Sequence, residues 1–422
     1  MLSGKRVNPI TDPLMTTWTP DPARLDAFAG DPANGPQLLF FTGGSALDST
    51  SRALKRFTHN SVHLVTPYDS GGSSAILRKA FSMPAIGDLR SRLMSLADER
   101  VTGHPEGVQL FAHRLSKGAS AAQLRAELDC IIAGEHPLAA VVDAQTRDLI
   151  CIQLEACREA MADDFDLRGA SIGNLVLAGT YLRNAKNLDA AIAEFARHAQ
   201  VLGEVHTVTN DNYHLVAQLD DGSRVIGEHL ITSLDLAGRG AVIEQLSLSN
   251  SLDEWQPVQS VLPESRQRMI AAAELICFPP GSFYTSVLAN LLPRGAGRAI
   301  ATSAAPKVYV PSLGNDPEQW GISLTDAVRR LLAMLGDDCE PPVPVEHLLN
   351  YVVIDSVNGR YNGGIDIPAL QALGVRVLDL PLVSAQSAPL ADARLLSEAL
   401  LSVGGLIKGS PADRAPKMTS PL

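Results

Sequence analysis

This chain lacks long apolar runs, a basic excess and paired cysteines, and each absence removes a class of protein. No segment approaches the apolar length of a membrane-spanning helix. Residues Met1 to Pro36 carry Pro9, Pro13, Pro20, Pro22, Pro32 and Pro36 without an apolar run, and read as neither a signal peptide nor an anchor. The formal charge is −11, whereas a nucleic-acid surface needs a basic face. Five cysteines (Cys130, Cys151, Cys157, Cys277 and Cys339) show neither CxxC spacing nor the density of a disulfide scaffold. Most lie in apolar stretches, and they read as buried thiols of a cytoplasmic protein. The ten histidines are scattered without HExxH or another zinc spacing, and His63 sits inside a strand run as a core residue would. Also missing are GxGxxG, the P-loop lysine and GxSxG, which argues against a dinucleotide-dependent dehydrogenase, a P-loop enzyme and a nucleophile-elbow hydrolase.

What is present is an alternation of strand and helix patterns. With 422 residues and 45% apolar content, the chain can build one large α/β domain with insertions, or two to three average domains. After a proline-rich arm (1–35), the main domain is expected over 36–408, with a C-terminal α/β extension from about 340 and a flexible tail over 409–422. Helical periodicity follows strand runs at Ala46–Phe57, Ser73–Phe81, Gly87 onward, Ala119–Met161, Ser171–Asn184 and Leu188–Gln200. Val205–Thr209 and Tyr213–Leu219 then read as strands, and Asp220-Asp221-Gly222 turns the chain into Arg224-Val225-Ile226. This predicts an antiparallel hairpin insertion over about 204–230. The alternation resumes at Val242–Leu248, Leu275–Phe278, Lys307–Val310, Tyr351–Ile354 and Val375–Leu380. The expected fold is therefore α/β, a doubly wound and mostly parallel sheet with an antiparallel hairpin insertion.

Three turns rich in glycine and serine follow β-rich runs: Thr42-Gly43-Gly44-Ser45, Asp69-Ser70-Gly71-Gly72-Ser73-Ser74 and Pro279-Pro280-Gly281-Ser282. Such a turn leaves backbone N–H groups unpaired at a helix start, with no Cβ to hold a phosphate away. Each turn by itself is either a phosphate cradle or a plain strand-to-helix connection. Together, at the carboxyl ends of strands, they suggest a phosphorylated or nucleotide ligand. Arg78, Lys79, Arg90 and Arg92 follow the second turn and are either phosphate partners or solvated helix faces. Asp69 ends a strand and Asp88 sits in the first turn of a helix. They are either caps or the two carboxylates that hold Mg²⁺ beside phosphates. Asn174 and Asn210 stand where apolar pattern meets loop, and Gly281 to Ser286, including Tyr284, reads as a helix start with hydroxyls toward a ligand.

In order and spacing these stretches resemble the family of 2-phospho-L-lactate transferase (CofD) and the bacterial gluconeogenesis-factor proteins. The carrying segments are Phe41–Leu47, Thr66–Ser74, Pro84–Arg90, Gly169–Leu175, Thr209-Asn210, Pro280–Leu292 with Asn290, and Ala305–Val310. The Gly-Gly-Ser-Ser turn brings the chain nearer the gluconeogenesis-factor branch. The resemblance implies a Rossmann-like sheet with its ligand at the strand carboxyl ends. For one branch it implies Mg²⁺-dependent transfer of a phospholactyl-type group from a guanosine-diphosphate-activated donor to a deazaflavin. For the other it implies binding of a nucleotide sugar or dinucleotide in control of carbon flux or cell-wall synthesis. Carried onto this chain, Gly43, Gly44, Ser45, Gly71, Gly72, Ser73, Gly281 and Ser282 would contact phosphate. Arg78 and Arg90 would balance charge, Asn174 and Asn210 would orient a ligand of the GDP, UDP-sugar or NADP type, and Asp69 and Asp88 would hold Mg²⁺. The resemblance allows a homo-oligomer. Thr42 and Ala46 stand where the family prefers glycine, and Ser70 replaces the second member of an acidic pair. The missing acid favours binding over transfer, with little dependence on Mg²⁺.

Overall fold

The computed structural model describes residues 15–17, 20–98 and 105–403, and the expected tail from 409 lies outside them. Twelve strands appear among the described residues. The first four are β1 (Met15–Thr17), β2 (Leu38–Thr42), β3 (Val62–Val65) and β4 (Glu204–Thr207). They are followed by β5 (His214–Leu219), β6 (Arg224–Ile226), β7 (Ile243–Ser249) and β8 (Pro257–Val258). The last four are β9 (Leu275–Phe278), β10 (Lys307–Tyr309), β11 (Tyr351–Ile354) and β12 (Arg376–Asp379). β1 to β4 and β9 to β12 form one eight-stranded sheet in the order β1-β12-β11-β10-β9-β2-β3-β4, and every pairing in it is parallel. β5 to β8 form a separate antiparallel sheet in the order β6-β5-β7-β8.

The central strands are buried on both faces because helices cover a parallel sheet on both sides. All five residues of β2 are buried, as are all four of β3 and of β9. Phe41 stacks on Phe278 across β2 and β9 with ring centroids 5.5 Å apart, and Phe40 stacks on His63 at 4.9 Å. Each such side chain contributes on the order of 1.5–3 kcal/mol by leaving water. His63 is fully buried, so desolvation, with Arg92 adding, holds its imidazole well below its usual pKa and therefore neutral.

Two sequence expectations are redrawn by the topology. The run beginning at Val205 is not the first arm of a hairpin: Glu204–Thr207 pairs in parallel with β3 and closes one edge of the main sheet. At the edge of the sheet β4 alternates more exposed with buried residues as a hairpin arm does, so the pattern alone did not separate them. The hairpin that does exist is β5–β6, and Val242–Leu248, read as resuming the parallel alternation, instead supplies β7 beside β5 in the antiparallel sheet. Described residues on both sides of 36–340 join the main sheet, the C-terminal extension among them. β1 pairs with β12, β11 and β12 extend the sheet beyond β10, and Asp21 caps the helix Pro22–Gly30. Pro22 at the first helical position suits that start.

The chain leaves β3 into a large helical layer, from the helix Gly72–Phe81 to the helix Leu188–His198, before it returns to β4. That layer has its own apolar core, built around Leu93, Leu128, Leu154 and Leu177. β2 runs on toward β3 and β4 on one side, while β9 continues toward β10, β11 and β12 on the other. The strand order therefore reverses between β2 and β9, and a crevice at the carboxyl ends of those strands is where open α/β sheets place ligands.

Candidate ligand site at the sheet switch point

A cavity of about 330 Å³ opens at this reversal. Thr42, Gly43, Gly44 and Ser45 line it from the end of β2, Thr66 and Asp69 from the end of β3, and Pro279 to Ser282 from the end of β9. Asp88, from the helix Gly87–Leu96, and Glu228, from the helix Glu228–Thr232, complete it. Its volume lies at the lower end of the range for small-molecule sites, enough for a diphosphate with part of its sugar.

Arg92 shapes the first turn from below. Its side chain is fully buried, paired with Asp48 at 3.0 Å, and donates to Ser51 Oγ and Thr42 Oγ1 and to the carbonyls of Gly43 and Gly44. Because a peptide is planar and trans, fixing those two carbonyls turns the N–H groups of Gly44 and Ser45 away from Arg92, and both residues line the cavity. Gly43 is required by close approach: a Cβ there would lie 2.4 Å from Ser286 Oγ. Asn290 fastens two of the turns together. Its buried Nδ2 donates to the carbonyls of Thr42 at 2.9 Å and Ser286 at 2.7 Å, clamping the first turn to the third.

The third turn is only partly free. Gly281 and Ser282 line the cavity, but the N–H groups just beyond them are already taken. Asp316 accepts from Phe283 N at 2.7 Å, and Glu318 accepts from Tyr284 N and Thr285 N at 2.9 Å each and from the Thr285 hydroxyl at 2.6 Å. Two protein carboxylates thus occupy the helix start that the sequence offered to a phosphate. Tyr284 points into the core, where its hydroxyl donates to the Ile243 carbonyl.

The second turn contributes its acid and not its glycines. Asp69 lines the cavity and accepts the Gly71 N–H at 2.9 Å, while Gly71, Gly72 and Ser73 lie off the lining. Ser73 Oγ accepts from Asn174 Nδ2 at 3.0 Å, and Asn174 Oδ1 accepts from Arg90 Nε at 3.1 Å, so Asn174, on the helix Ile172–Arg183, bridges the helices Gly72–Phe81 and Gly87–Leu96. Arg78 is buried and committed to the fold. It donates to Asn212 Oδ1 and to the carbonyls of Tyr68, Asp69 and Tyr213, tying the second turn to the segment before β5. Asn210 is exposed and belongs to another cluster, with Thr207, Asp189 and Arg266. Arg78, Asn174, Asn210, Tyr284 and Asn290 are therefore outside the cavity lining.

Sequence reading missed Glu228. The hydroxyl of Ser70 explains how it arrives: Ser70 Oγ accepts the His229 N–H at 3.3 Å and lies 2.8 Å from His229 Nδ1, docking the helix start that carries Glu228. Gly227, at φ +107°, makes the bend from β6 into that helix. Ser70, standing where the family's second acid is expected, thus holds in place a segment that delivers an acid from elsewhere. The signal in the sequence was the Gly-Glu step directly after the hairpin, whose destination depends on how the antiparallel sheet docks.

Three carboxylates consequently face one cavity, and they disturb each other. The Asp88 carboxyl, closed in by protein, is pushed up to about 7 by burial and then by Asp69 and Glu228, with Arg92 opposing. Burial also raises Glu228, and the charge of Asp69 adds to that rise. A bare diphosphate would meet net repulsion here, whereas a divalent cation between carboxylates and phosphates would suit both. The residues present fit the Mg²⁺ that the family resemblance implies in the usual way, through one or two carboxylates beside phosphate and water. Asp69, Asp88 and Glu228 line the cavity but do not close as a set of three around one point, so a pair of them would hold the ion, and it would neutralise phosphate oxygens.

Comparison with known proteins finds relatives in sequence and in fold. The family described as 2-phospho-L-lactate transferase CofD matches residues 38–383. The gluconeogenesis factor of Halalkalibacterium halodurans is 28% identical over 373 residues, spanning 86% of this chain and 95% of that protein. That of Bacillus subtilis is 27% identical over 350 residues, spanning 81% and 90%. A crystal structure of a UPF0052 family member from Bacillus halodurans shares the fold, with a TM-score of 0.63 at 24% identity, covering 87% of this chain and 99% of that one. With most of its length matched, the chain belongs to the CofD family.

Proposed function

We propose that the switch-point cavity binds the diphosphate of a nucleotide-linked ligand together with a divalent cation, and that the chain acts as a regulatory binding protein in carbon or cell-wall metabolism. The observation that carries this reading is the meeting of Asp69, Asp88 and Glu228 with the Gly43–Ser45 turn around one cavity. The turn offers backbone N–H groups to phosphate, and the acids call for a cation that phosphate also favours. The regulatory part rests on the gluconeogenesis factors among the relatives.

A second reading, a Mg²⁺-dependent phosphotransferase of the 2-phospho-L-lactate transferase type, is favoured by Glu228. The expectation of weak Mg²⁺ dependence rested on Ser70 replacing an acid, and Glu228 brings a further carboxylate to the same cavity. Transfer would then depend on positioning and charge stabilisation. Calorimetry with GDP, a UDP-sugar and NADP, in Mg²⁺ or chelator, tests the binding shared by both readings. A transfer assay with a deazaflavin acceptor separates them.

A further inference from the structure

Three side chains from three successive segments meet on the helical layer between β3 and β4, outside the switch-point cavity. His113 follows the helix Pro105–Ala112, Glu127 lies on the helix Ala121–Ile132, and His136 directly precedes the short helix Pro137–Ala140. One ligand atom from each lies within 4.8 Å of the others, and all three residues are half-buried. His113 Nε2 is 2.7 Å from Glu127 Oε1, and the two imidazole rings are 5.5 Å apart between centroids. No zinc spacing was legible in the sequence because the three donors come from three separate elements.

We propose that His113, Glu127 and His136 form a site for a divalent cation of the zinc class. Two imidazoles and one carboxylate are a donor set that Zn²⁺ accepts, with its fourth position left to water, whereas Mg²⁺ and Ca²⁺ prefer oxygen alone. Bonds of roughly 2.0–2.2 Å in a tetrahedron set the ligand atoms about 3.4 Å apart. His113 and Glu127 therefore need to separate by less than an ångström, and their side chains, 25% and 30% exposed, leave an ion a path from solvent.

Occupancy is coupled to a helix cap. His136 Nδ1 accepts the Leu138 N–H at 3.2 Å as the cap of the helix Pro137–Ala140. An ion on Nδ1 displaces that bond directly. An ion on Nε2 forces the ring proton onto Nδ1, which then no longer accepts. Either way the cation releases the Leu138 amide, which makes that amide a reporter independent of the metal signal.

The test is titration of the full chain with Zn²⁺ alone by calorimetry, repeated with Co²⁺ alone by visible absorption. The expected result is one equivalent bound, weakened at least tenfold in Glu127→Gln and in His136→Asn. Asparagine retains a side-chain acceptor for the cap, so the second variant should fold. Zn²⁺ should also speed hydrogen exchange at the Leu138 amide, and a large excess of Mg²⁺ should leave the Zn²⁺ isotherm unchanged. Absence of binding at micromolar Zn²⁺, equal affinity in both variants, or displacement by Mg²⁺ would overturn the proposal.

Discussion

Glu318 accepts both the main-chain N–H of Thr285, at 2.9 Å, and its hydroxyl, at 2.6 Å. The same carboxylate takes the Tyr284 N–H, so one buried side chain satisfies three donors at the helix start behind the cavity. Glu318→Ala strands those donors in the interior, and each lost partner costs about 1–3 kcal/mol. The expected outcome is a loss of about 3 kcal/mol or more in urea unfolding, with a smaller loss for Glu318→Gln, which keeps an acceptor oxygen. An unfolding midpoint equal to that of the unmodified chain would count against this role.

Arg78 and Arg90 look alike in sequence and differ in the fold. Arg78 donates four hydrogen bonds, three of them to main-chain carbonyls, whereas Arg90 donates through Nε to Asn174. Arg78→Ala should therefore lose about 3 kcal/mol or more of stability, and Arg90→Ala about 1–2 kcal/mol. Thermal or urea unfolding of the two variants side by side checks the ranking. The reverse order would show that the second turn is not held by Arg78.

Asp88 gives a pH signature. Its folded-state pKa of about 7 lies above its ordinary value of 3.8, so the fold favours the protonated carboxyl. The associated stability is complete below about pH 4 and is lost as pH rises through 7. His63 and His214, held low by burial, act in the opposite sense below about pH 6.5, so the effect is read as a difference between variants. Relative to the unmodified, ligand-free chain, Asp88→Asn should gain about 1–3 kcal/mol between pH 5 and pH 8. Parallel stability curves for the two proteins would remove Asp88 as a strained carboxyl.

The parts of this fold that sequence made legible are those set by local chemistry. β2, β3 and β9 are runs buried on both faces, each followed by glycine, serine or proline, and their carboxyl ends do meet at one cavity. Asp69 could be picked out because it opens such a turn, and Asp88 because it stands in the first turn of a helix after Pro84 and Gly87. What stayed hidden depends on contacts between distant segments. Val205 alternates as an edge strand and a hairpin arm both do, and only its pairing with His63 decides between them. Arg78 satisfies main-chain carbonyls that no composition reveals, and the helix start after Gly281 is closed by Asp316 and Glu318, more than thirty residues further on. Glu228 reaches the cavity through the docking of its helix on Ser70.

The most direct test of the central claim is calorimetry on the full chain with GDP, a UDP-sugar and NADP, each in Mg²⁺ and in chelator, for the unmodified protein and Glu228→Gln. At least one diphosphate should bind, ten times or more tighter with Mg²⁺, because the cation screens three carboxylates from the phosphates. In Glu228→Gln that Mg²⁺-dependent gain should fall by a factor of about ten, or about 1.4 kcal/mol, while binding in chelator stays level or improves. Equal affinity in chelator and in Mg²⁺, or a Glu228→Gln isotherm matching the unmodified one under both conditions, would contradict the account.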